Sequence, residues 1–500
     1  MKRAGGALLL GIDIDHGSAR PLSTQLTVIL RDLILDGSFA AGDRLPASRT
    51  LARDLGLSRT TVIEAFERLV AEGLVESRVG AGTFVAGVLR TERPLPVPAA
   101  QAASLTARKP KLSRAMAAAM AAFAPRQRLP HAPRAFVTGL PALDAFPMAQ
   151  WARLSAKHWR RQRDTVMGYG EACGHPLLRR AIAGHLRANR GIACETEQIF
   201  VTGGAQQAFH LIGTVLLDPG DKVWFENPGP IGARNSMVAN GAELVPLPVD
   251  EEGLCVAAGL AASRQFRLAF VTPSHQQPLG SVMSLERRFA LLHAAEQAGA
   301  WVVEDDYDGE FFFGNRPLPT LKSVDATGRV IYVGTFSKSL FPSLRLGFML
   351  APPALVDTFA AMMSAYLPGV PSCTQEVAAE FIADGHFSAH IRRMRRLYAE
   401  RHAALRDAAK PRLDGLLAIE EADSGLHTIG HLGAGLAERD AASAAEKQGV
   451  SVSPIARFAI APVAVRGLVL GFGGIKPPEI RAGVETLAQV LERLVLRRAS

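Results

Sequence analysis

Lys338 is the residue of this sequence whose type and setting best suit covalent chemistry. It lies in the segment 334–347, directly after the apolar run 330–333, which predicts a buried strand. A lysine beside a core strand needs a partner or a chemical role, and a desolvated amine can attack an aldehyde to form a Schiff base. Ser337 and Arg345 would supply a hydroxyl and a guanidinium suited to a phosphate beside that aldehyde. The alternative is a lysine at a loop mouth, facing water.

A second group of reactive side chains is the acidic run 304–308, which follows the predicted strand 301–303. A carboxylate at the end of a core strand, here Asp305, can hold a protonated ring nitrogen, and Tyr307 can bond a phenolate oxygen. The alternative interpretation is a solvated acidic turn.

A third group, Gly203-Gly204-Ala205-Gln206, follows the predicted strand 199–202 and opens an apolar helix. Glycines let the backbone approach a phosphate, and the unpaired N–H groups at a helix start point toward it. Ala205 and Gln206 are therefore candidate phosphate contacts, and a simple tight turn is the alternative.

Strands that alternate with helices from residue 136 onward must bring these three groups together. The predicted strands cover residues 199–202, 223–225, 268–272, 301–303 and 330–333, with a helix over 285–297. This alternation predicts an α/β fold with a mainly parallel sheet flanked by helices. Ligands bind beyond the carboxyl ends of such strands, and each candidate residue falls at such an end.

The N-terminal region predicts a different module, made of three helices and a hairpin. Apolar spacing predicts helices over 23–36, from Ser48 to the glycine at 56, and from Ser58 onward, with both serines as N-caps. The runs 74–78 and 82–86 predict a hairpin. Two short helices joined by a turn and followed by a hairpin describe a winged helix-turn-helix.

Such a module places the N-terminal residues of its third helix toward base edges in the major groove. Arg59, Thr60 and Thr61 stand where donors are needed, next to Ser58. The residues placed to reach phosphates or the minor groove are Arg44, Arg49, Arg78 and Gly80. The alternative is a small helical domain that binds protein instead of DNA.

Length and composition bound the class of protein. A chain of 500 residues needs two or more domains, and its net charge of +9 is compatible with nucleic-acid binding. Four cysteines without a CxxC pair predict reduced thiols, and we expect neither disulfides nor a metal site. Because no stretch suits a signal peptide or a membrane span, we expect a cytoplasmic protein with no membrane partner.

Residues 88–133 are predicted to form a linker rich in proline and alanine. Proline-rich composition favours an extended, semi-rigid spacer, with one or two helical turns over 115–124. The basic charges of this stretch either add nonspecific attraction to DNA or only belong to a soluble tether. The predicted domains are a helix-turn-helix at 19–87, this linker at 88–133, and an α/β domain at 134–500.

The N-terminal motifs occur in an order that resembles the GntR family of transcription regulators. The resemblance includes Gly42-Asp43-Arg44-Leu45-Pro46, Leu57-Ser58-Arg59-Thr60-Thr61 and Gly80-Ala81-Gly82-Thr83-Phe84. It implies a winged helix-turn-helix domain that binds a double-stranded DNA operator.

The later motifs resemble the fold-type I aminotransferase domain of pyridoxal-phosphate (PLP) proteins, and the fusion resembles the MocR subfamily of GntR regulators. The motifs are 203–207, 272–280, 304–311 and the Lys338 segment, in that order. The resemblance implies that Lys338 binds the cofactor aldehyde covalently, Asp305 pairs with the pyridine nitrogen, and Tyr307 faces the ring hydroxyl. The residues that it assigns to the phosphate are Ser337, Arg345, Ala205 and Gln206. It also implies a homodimer.

Four positions depart from the aminotransferase pattern. Pro230 replaces the aromatic residue that stacks on the pyridine ring, Ala205 replaces a hydroxyl residue, and Gln277 stands where asparagine is usual. Val469 stands where an arginine usually binds the substrate carboxylate, and the candidates to replace that arginine are Arg466 and Arg457. These changes weaken the case for transamination more than the case for cofactor binding.

We therefore expect a PLP-dependent, DNA-binding transcription regulator whose aminotransferase-like domain senses PLP, an amine or an amino acid. Its expected output is regulation and not physiological turnover. The alternatives are an active aminotransferase and a cofactor-free dimerisation domain attached to a DNA reader.

Overall fold

The computed structural model describes residues 13–87, 111–126, 133–160, 164, 167–314 and 318–499. The parts 88–110 and 127–132 of the predicted linker lie outside the described residues. The chain divides into two compact units, a small one over Met1–Lys111 and a large one over Leu112–Ser500.

The small unit contains the predicted three helices and hairpin. Its elements are α1 Leu22–Leu35, α2 Ser48–Asp54, α3 Arg59–Ala71, β1 Val75–Arg78 and β2 Gly82–Val85. The two strands pair antiparallel. Apolar residues at helical spacing pack into one core, with Leu26 and Leu30 from α1, Leu51 from α2, and Val62 and Leu69 from α3.

The two predicted serine caps have different outcomes. Ser58 caps α3, because its Oγ accepts a hydrogen bond from the Thr61 backbone N–H at 3.1 Å. The prediction for Ser48 is wrong, since Ala47 occupies the capping position and Ser48 is the first residue of α2. The chain enters α2 directly from Pro46-Ala47, so the helix begins one residue earlier than the capping signal suggests.

The large unit is built from strands that alternate with helices. Its helices are α4 Arg114–Ala122, α5 Met148–Arg160, α6 Pro176–His185, α7 Ala205–Leu216, α8 Ile231–Ala239, α9 Val256–Ala262, α10 Leu285–Ala298, α11 Phe336–Ser339, α12 Val356–Tyr366, α13 Ser372–Ala383, α14 His386–Arg412, α15 Glu438–Lys447 and α16 Pro477–Ala499. Its strands are β3 Ile199–Thr202, β4 Lys222–Asn227, β5 Glu243–Asp250, β6 Gly253–Leu254, β7 Leu268–Val271, β8 Trp301–Asp306, β9 Val330–Thr335, β10 Gly347–Leu350, β11 Leu417–Ile419, β12 His427–Leu432, β13 Ser453–Pro454 and β14 Gly467–Gly471.

Strands β3 to β10 form one sheet within the described residues, in the order β3-β10-β9-β8-β7-β4-β5-β6. The pairs β9–β8, β8–β7, β7–β4 and β4–β5 are parallel, whereas β10 runs antiparallel to both β3 and β9. The predicted mainly parallel sheet is thereby confirmed. Strands β11 to β14 form a second, antiparallel sheet in the order β11-β12-β14-β13.

The large sheet is buried on both faces, which explains its continuous apolar strands. Successive residues of a strand point to opposite faces, so Trp224 and Val302 pack into one apolar cluster, and Phe225 and Val303 pack into another. The first cluster includes Leu291 of α10. Helices on both faces therefore leave the strand ends as the places where polar side chains can gather.

Two remaining predictions concern helices. The predicted turn or two within the linker corresponds to helix α4, which lies in the large unit. None of the helices in the described parts of the chain combines the length and the apolar character needed to cross a lipid bilayer.

Candidate functional site

The seven residues that sequence patterns suggest for the cofactor line one cavity of about 340 Å³ in the large unit. They are Ala205, Gln206, Asp305, Tyr307, Ser337, Lys338 and Arg345. Strands β3, β8 and β9 run in the same direction, so the segments after their carboxyl ends meet at one edge of the sheet. The tertiary fold thus brings together side chains that are more than a hundred residues apart.

Lys338 lies on the short helix α11, which begins directly after β9. The Thr335 side chain starts this helix by accepting a hydrogen bond from the Ser337 backbone N–H at 3.2 Å. The Lys338 amine donates to the carbonyl oxygen of Gly139 at 2.7 Å. Burial lowers the pKa of the Lys338 amine, although Asp308 and Asp305 oppose the shift. A lowered pKa increases the neutral, nucleophilic fraction of the amine that attack on an aldehyde requires.

Gly139 leaves room for this lysine. Its φ is +78°, in the left-handed region, and a Cβ at this position would lie 2.9 Å from Lys338 Nζ. A side chain here would therefore strain the backbone and crowd the amine. The motifs gave no indication of this contact, because Gly139 and Lys338 are far apart in the chain.

Asp305 contributes a buried carboxylate to the same cavity. Its side chain is 5% exposed, and its Oδ1 has no hydrogen-bond partner among the described residues. Burial raises the pKa of Asp305 well above its usual value, and the carboxylates of Asp306 and Asp308 raise it further. A buried, unpartnered carboxylate oxygen fits a group that brings its own N–H, such as a protonated ring nitrogen.

The neighbouring acid, Asp306, is already paired. Its Oδ2 accepts hydrogen bonds from Arg190 and from the Tyr332 hydroxyl. Adjacent residues of a strand point to opposite faces, so β8 directs Asp305 and Asp306 to different surroundings. The structure therefore distinguishes two acids that the sequence run alone presents as equals.

Tyr307 belongs to a hydrogen-bonded network that the sequence patterns did not indicate as functional. The Tyr307 hydroxyl lies 3.1 Å from His275 Nδ1, which lies 3.0 Å from Asp308 Oδ2. Burial raises the pKa of the Tyr307 phenol well above its usual value, with Asp308 as the next largest cause. A phenol held in its protonated form can serve as a hydrogen-bond donor to an oxygen in the cavity.

His427 lies beside this network and also lines the cavity. Its Nε2 lies 3.1 Å from the carbonyl oxygen of Pro278, and its ring centroid is 4.7 Å from that of His275. Burial lowers the pKa of His427 to about 4, with the nearby His275 as a further cause. Donor atoms of His275, Asp308 and His427 lie within 4.8 Å of one another, which is a donor set that a divalent metal accepts. His275 lies within the 272–280 motif, and that motif is the sequence signal that could have identified it as a site residue.

The start of α7 offers backbone donors at another wall of the cavity. Gly204 precedes the helix with φ +96°, and Ala205 and Gln206 are its first two residues. The Gln206 side chain donates to the carbonyl oxygen of Gly232 at 2.8 Å, so its backbone N–H remains the group it can offer an anion. Ser337 and the exposed Arg345 line the same cavity and complete a set of donors suited to a phosphate.

Three of the departures from the aminotransferase pattern also line this cavity, namely Pro230, Gln277 and Val469. Of the two alternative arginines, Arg457 lines the cavity, whereas Arg466 lines a separate depression beside Glu438. Burial lowers the pKa of Arg457 relative to its usual value. An additional arginine, Arg126, lines the cavity, although the sequence suggested only a linker charge at that position.

In the small unit, seven of the eight candidate DNA-contacting residues are exposed at the surface. The exposed ones are Arg44, Arg49, Ser58, Arg59, Thr60, Arg78 and Gly80. Thr61 is half-buried, and its hydroxyl lies 2.8 Å from Ser58 Oγ, so these two hydroxyls are engaged in capping α3. Arg78 bonds Glu76 at 3.1 Å and lies over the Phe84 ring, which holds it along the hairpin. Gly80 has φ +73° in the turn of that hairpin.

Comparison with known proteins agrees with this architecture. Residues 22–85 match the family of bacterial regulatory proteins called the gntR family, and residues 140–471 match the family of aminotransferases of class I and II. The chain is 42% identical over 476 residues to the probable rhizopine catabolism regulatory protein MocR of Rhizobium meliloti, covering 95% of this chain and 94% of that protein. It is 33% identical over 494 residues to the transcriptional regulator TauR of Rhodobacter capsulatus, covering 95% and 97% of the two chains.

The large unit also resembles solved aminotransferases. One is LysN, an α-aminoadipate aminotransferase from Thermus thermophilus, solved in complex with N-(5′-phosphopyridoxyl)-L-leucine. It matches with a TM-score of 0.67 and 28% identity, covering 72% of this chain and 92% of that chain. The small unit carries the regulator fold and the large unit carries the aminotransferase fold, so this chain is a transcription regulator of the MocR subfamily of the GntR family.

Proposed function

We propose that this regulator binds operator DNA through its small unit and pyridoxal 5′-phosphate through the cavity of its large unit. The observation that supports cofactor binding is the shared cavity of Lys338 and Asp305, in which Asp305 carries a buried oxygen without a partner among the described residues. Bound PLP would supply an aldehyde that reacts with primary amines. The molecular output that we infer is a change in DNA affinity.

The residues present fit the parts of the cofactor in the roles expected from the sequence. Lys338 would hold the aldehyde covalently, Asp305 would accept a hydrogen bond from the protonated ring nitrogen, and Tyr307 would donate one to the ring hydroxyl. The groups available to the phosphate are the N–H groups of Ala205 and Gln206 with the side chains of Ser337 and Arg345. The absence of a hydroxyl at Ala205 leaves its backbone N–H as the donor.

For the small unit, we propose that Arg59 and Thr60 contact base edges from the start of α3. Arg44, Arg49, Arg78 and the backbone at Gly80 would then contact phosphates or the minor groove. Ser58 and Thr61 would act mainly by holding the first turn of α3 in place, since their hydroxyls lie within bonding distance of each other. We assign residues 19–87 to this domain, 88–133 to a connecting segment and 134–500 to the effector domain.

We further infer that the protein acts in the cytoplasm as a homodimer, with each copy supplying one DNA reader. Two tethered readers bind tightly when the spacing of the half-sites in the operator matches the spacing of the readers. An effector can shift the DNA-bound population only through a difference in its affinity for the two states.

Active transamination is the second candidate function, and the similarity of the large unit to solved aminotransferases favours it. Two lining residues oppose it. Pro230 cannot stack on the pyridine ring as an aromatic residue does, and Val469 cannot pair with a substrate carboxylate. We therefore expect sensing to outweigh turnover.

The test is to select duplexes with the full chain from a randomised pool, and then to titrate them with and without PLP and primary amines. We expect PLP or an amine to change DNA affinity by several-fold to about a hundred-fold. A parallel assay follows amino-group transfer. Unchanged DNA affinity together with multiple turnovers on an ordinary amino acid would support the aminotransferase instead. If DNA affinity does not change and no PLP binds, the large unit would be interpreted as a cofactor-free dimerisation domain.

A further inference from the structure

The segment 112–126 is the first described part of the large unit, and its end is docked beside the cavity. Helix α4 lies within it, and Ala119 and Ala124 are buried. The Ala124 backbone N–H donates to Asn235 Oδ1 at 2.9 Å, and Asn235 Nδ2 donates to the Ala124 carbonyl at 2.8 Å. This reciprocal pair fixes the end of the segment to α8. The fixed end lies twelve residues after Leu112, the first residue of the large unit.

The same segment delivers a cationic group to the cavity. Arg126 lines the cavity and donates from Nη1 to Gln206 Oε1 at 3.3 Å. Arg457, another lining residue, donates from Nη2 to the carbonyl oxygen of Pro125 at 3.1 Å. The two arginines are therefore connected through the backbone of the docked segment, and they line the cavity on the wall that contains residues 230–233 at the start of α8. Gly229, just before this stretch, donates its N–H to the Phe458 carbonyl at 3.1 Å.

Small residues on this wall leave room for the Arg126 guanidinium. A Cβ at Gly232 would lie 2.6 Å from Gln206 Oε1 and 3.8 Å from Arg126 Nη2. Any larger residue at 232 would disturb Gln206 and approach Arg126. The position two residues earlier is Pro230, which lacks the ring of the aromatic residues usual there. Arg126 and Arg457 thus border space that this chain leaves open.

The charges of the cavity indicate what this space can accept. Its described lining residues include the cations Arg126, Lys338, Arg345 and Arg457 and the carboxylates Asp305 and Asp308. The proposed cofactor uses Lys338, Arg345 and Asp305, while Asp308 bonds His275. Arg126 and Arg457 are the cations without a role toward the cofactor. Guanidinium groups bind carboxylates through directed, charge-assisted hydrogen bonds.

We propose that Arg126 and Arg457 form an anion subsite for the carboxylate of an effector that also carries a primary amine. This proposal rests on the proposed function, because the amine of the effector would replace the Lys338 amine on the aldehyde carbon of the cofactor: one carbon–nitrogen linkage would form as the linkage to Lys338 breaks and the lysine is released as a free amine. It assigns carboxylate recognition to Arg126 and Arg457 instead of position 469, where this chain has valine and which lines the same cavity. Because Arg126 belongs to the docked segment, an effector bound to its guanidinium would contact that segment directly. Binding would thereby change the position of the segment on α8, where Ala124 bonds Asn235.

The experiment titrates the PLP-loaded full chain with three probes and follows the visible absorbance change. The probes are L-norvaline and 5-aminopentanoate, which are amino acids, and n-butylamine, which corresponds to either of them without its carboxylate. The variants are Arg126→Gln and Arg457→Gln, and Arg466→Gln is the matched control because it lies outside the cavity. We expect the wild type to bind at least one amino acid about tenfold more tightly than n-butylamine. Each cavity variant should lose most of that preference and keep its affinity for n-butylamine.

Three results would overturn the anion subsite without touching the cofactor proposal. One is equal affinity of the loaded wild type for all three probes, and another is a preference that survives in both cavity variants. The third is a reduced affinity of Arg126→Gln for PLP with the carboxylate preference unchanged, which would assign Arg126 to the cofactor phosphate. Failure of the proposed function would look different, because the wild type would then retain no visible band after PLP is added and the free cofactor is removed by gel filtration.

Discussion

The two units of this protein place their candidate functional side chains in opposite environments. In the small unit, Arg49 on α2 and Arg59 on α3 are exposed, and the positions of both helices follow from local apolar spacing. In the large unit, Asp305 and Lys338 line a cavity where burial shifts their pKa values. A surface reader needs donors on a rigid element, whereas a reactive site needs groups that the fold removes from water. Substitutions should therefore affect the two units differently.

The largest expected effect is that of Lys338→Ala. We expect complete loss of the visible absorbance band that lysine-bound PLP produces, because no other described lining residue offers an amine. DNA binding by the small unit should survive in the cofactor-free state. The control is Lys476→Ala, which removes an exposed lysine outside the cavity. A band that persists in Lys338→Ala would contradict this comparison, because the reactive amine would then not be the lysine inside the cavity.

The next effect in size is that of Asp305→Asn on cofactor affinity. The amide keeps the shape of the side chain and removes its charge, so a buried pyridinium would lose its partner at a cost of about 3–5 kcal/mol. The measurement is the dissociation constant for PLP by absorbance or fluorescence titration. Asp306→Asn is an informative comparison, since Asp306 bonds Arg190 and Tyr332 through its Oδ2 and is not among the residues that line the cavity. An unchanged dissociation constant in Asp305→Asn would remove Asp305 from the site.

The substitutions Arg59→Ala and Arg49→Ala test the exposed candidate DNA contacts of the small unit. Loss of Arg59 should weaken binding to the preferred duplex by about 1–3 kcal/mol and relax base preference at one position, if it pairs with a guanine edge. Loss of Arg49 should weaken all duplexes alike and reduce the salt dependence by about one phosphate contact. Competition binding with single-base variants of the duplex at several salt concentrations separates the two. An equal loss on all sequences for Arg59 would make it a phosphate contact.

The smallest expected effect concerns the stability of the large unit at acid pH, because that unit contains buried titratable groups such as His390. Burial lowers the pKa of His390 to about 4 from an ordinary value of 6.5, with Arg393 adding to the shift and a bond to the Ser339 backbone opposing it. The unfolded chain therefore binds the proton first as pH falls below 6.5. The contribution of His390 to the free energy of unfolding is therefore highest above pH 6.5 and falls as the pH decreases toward 4. Between pH 7 and pH 5 this loss amounts to about 1–2 kcal/mol.

His390→Phe should flatten this pH dependence, since the ring at 390 packs against Phe146 with centroids 5.8 Å apart. The exposed His293→Phe is the control. All four tryptophans, at 151, 159, 224 and 301, belong to the large unit, so urea unfolding followed by their fluorescence reports that unit. An unaltered slope between pH 7 and pH 5 in His390→Phe would show that other groups cause the acid response.

The sequence alone was sufficient where the interactions are local. Apolar residues at helical spacing located α1 to α3, and Ser58 caps α3 three residues from its hydrogen-bond partner. Likewise, short apolar runs located β3, β8 and β9, because strands buried on both faces must be apolar throughout. Parallel strands place their carboxyl ends at one edge, so the convergence of Lys338 and Asp305 could be expected from order alone.

Only the tertiary structure decided the parts of the site that depend on distant contacts. Which arginine lines the cavity could not be chosen from spacing, because Arg457 and Arg466 are separated by a loop whose path depends on packing against residues 227–234. The Tyr307–His275 bond joins residues 32 positions apart, and the Ala124–Asn235 pair joins residues 111 positions apart. Side-chain types predict which groups can react, but burial and partner choice require the folded chain, since both arise from atoms that the sequence places far apart.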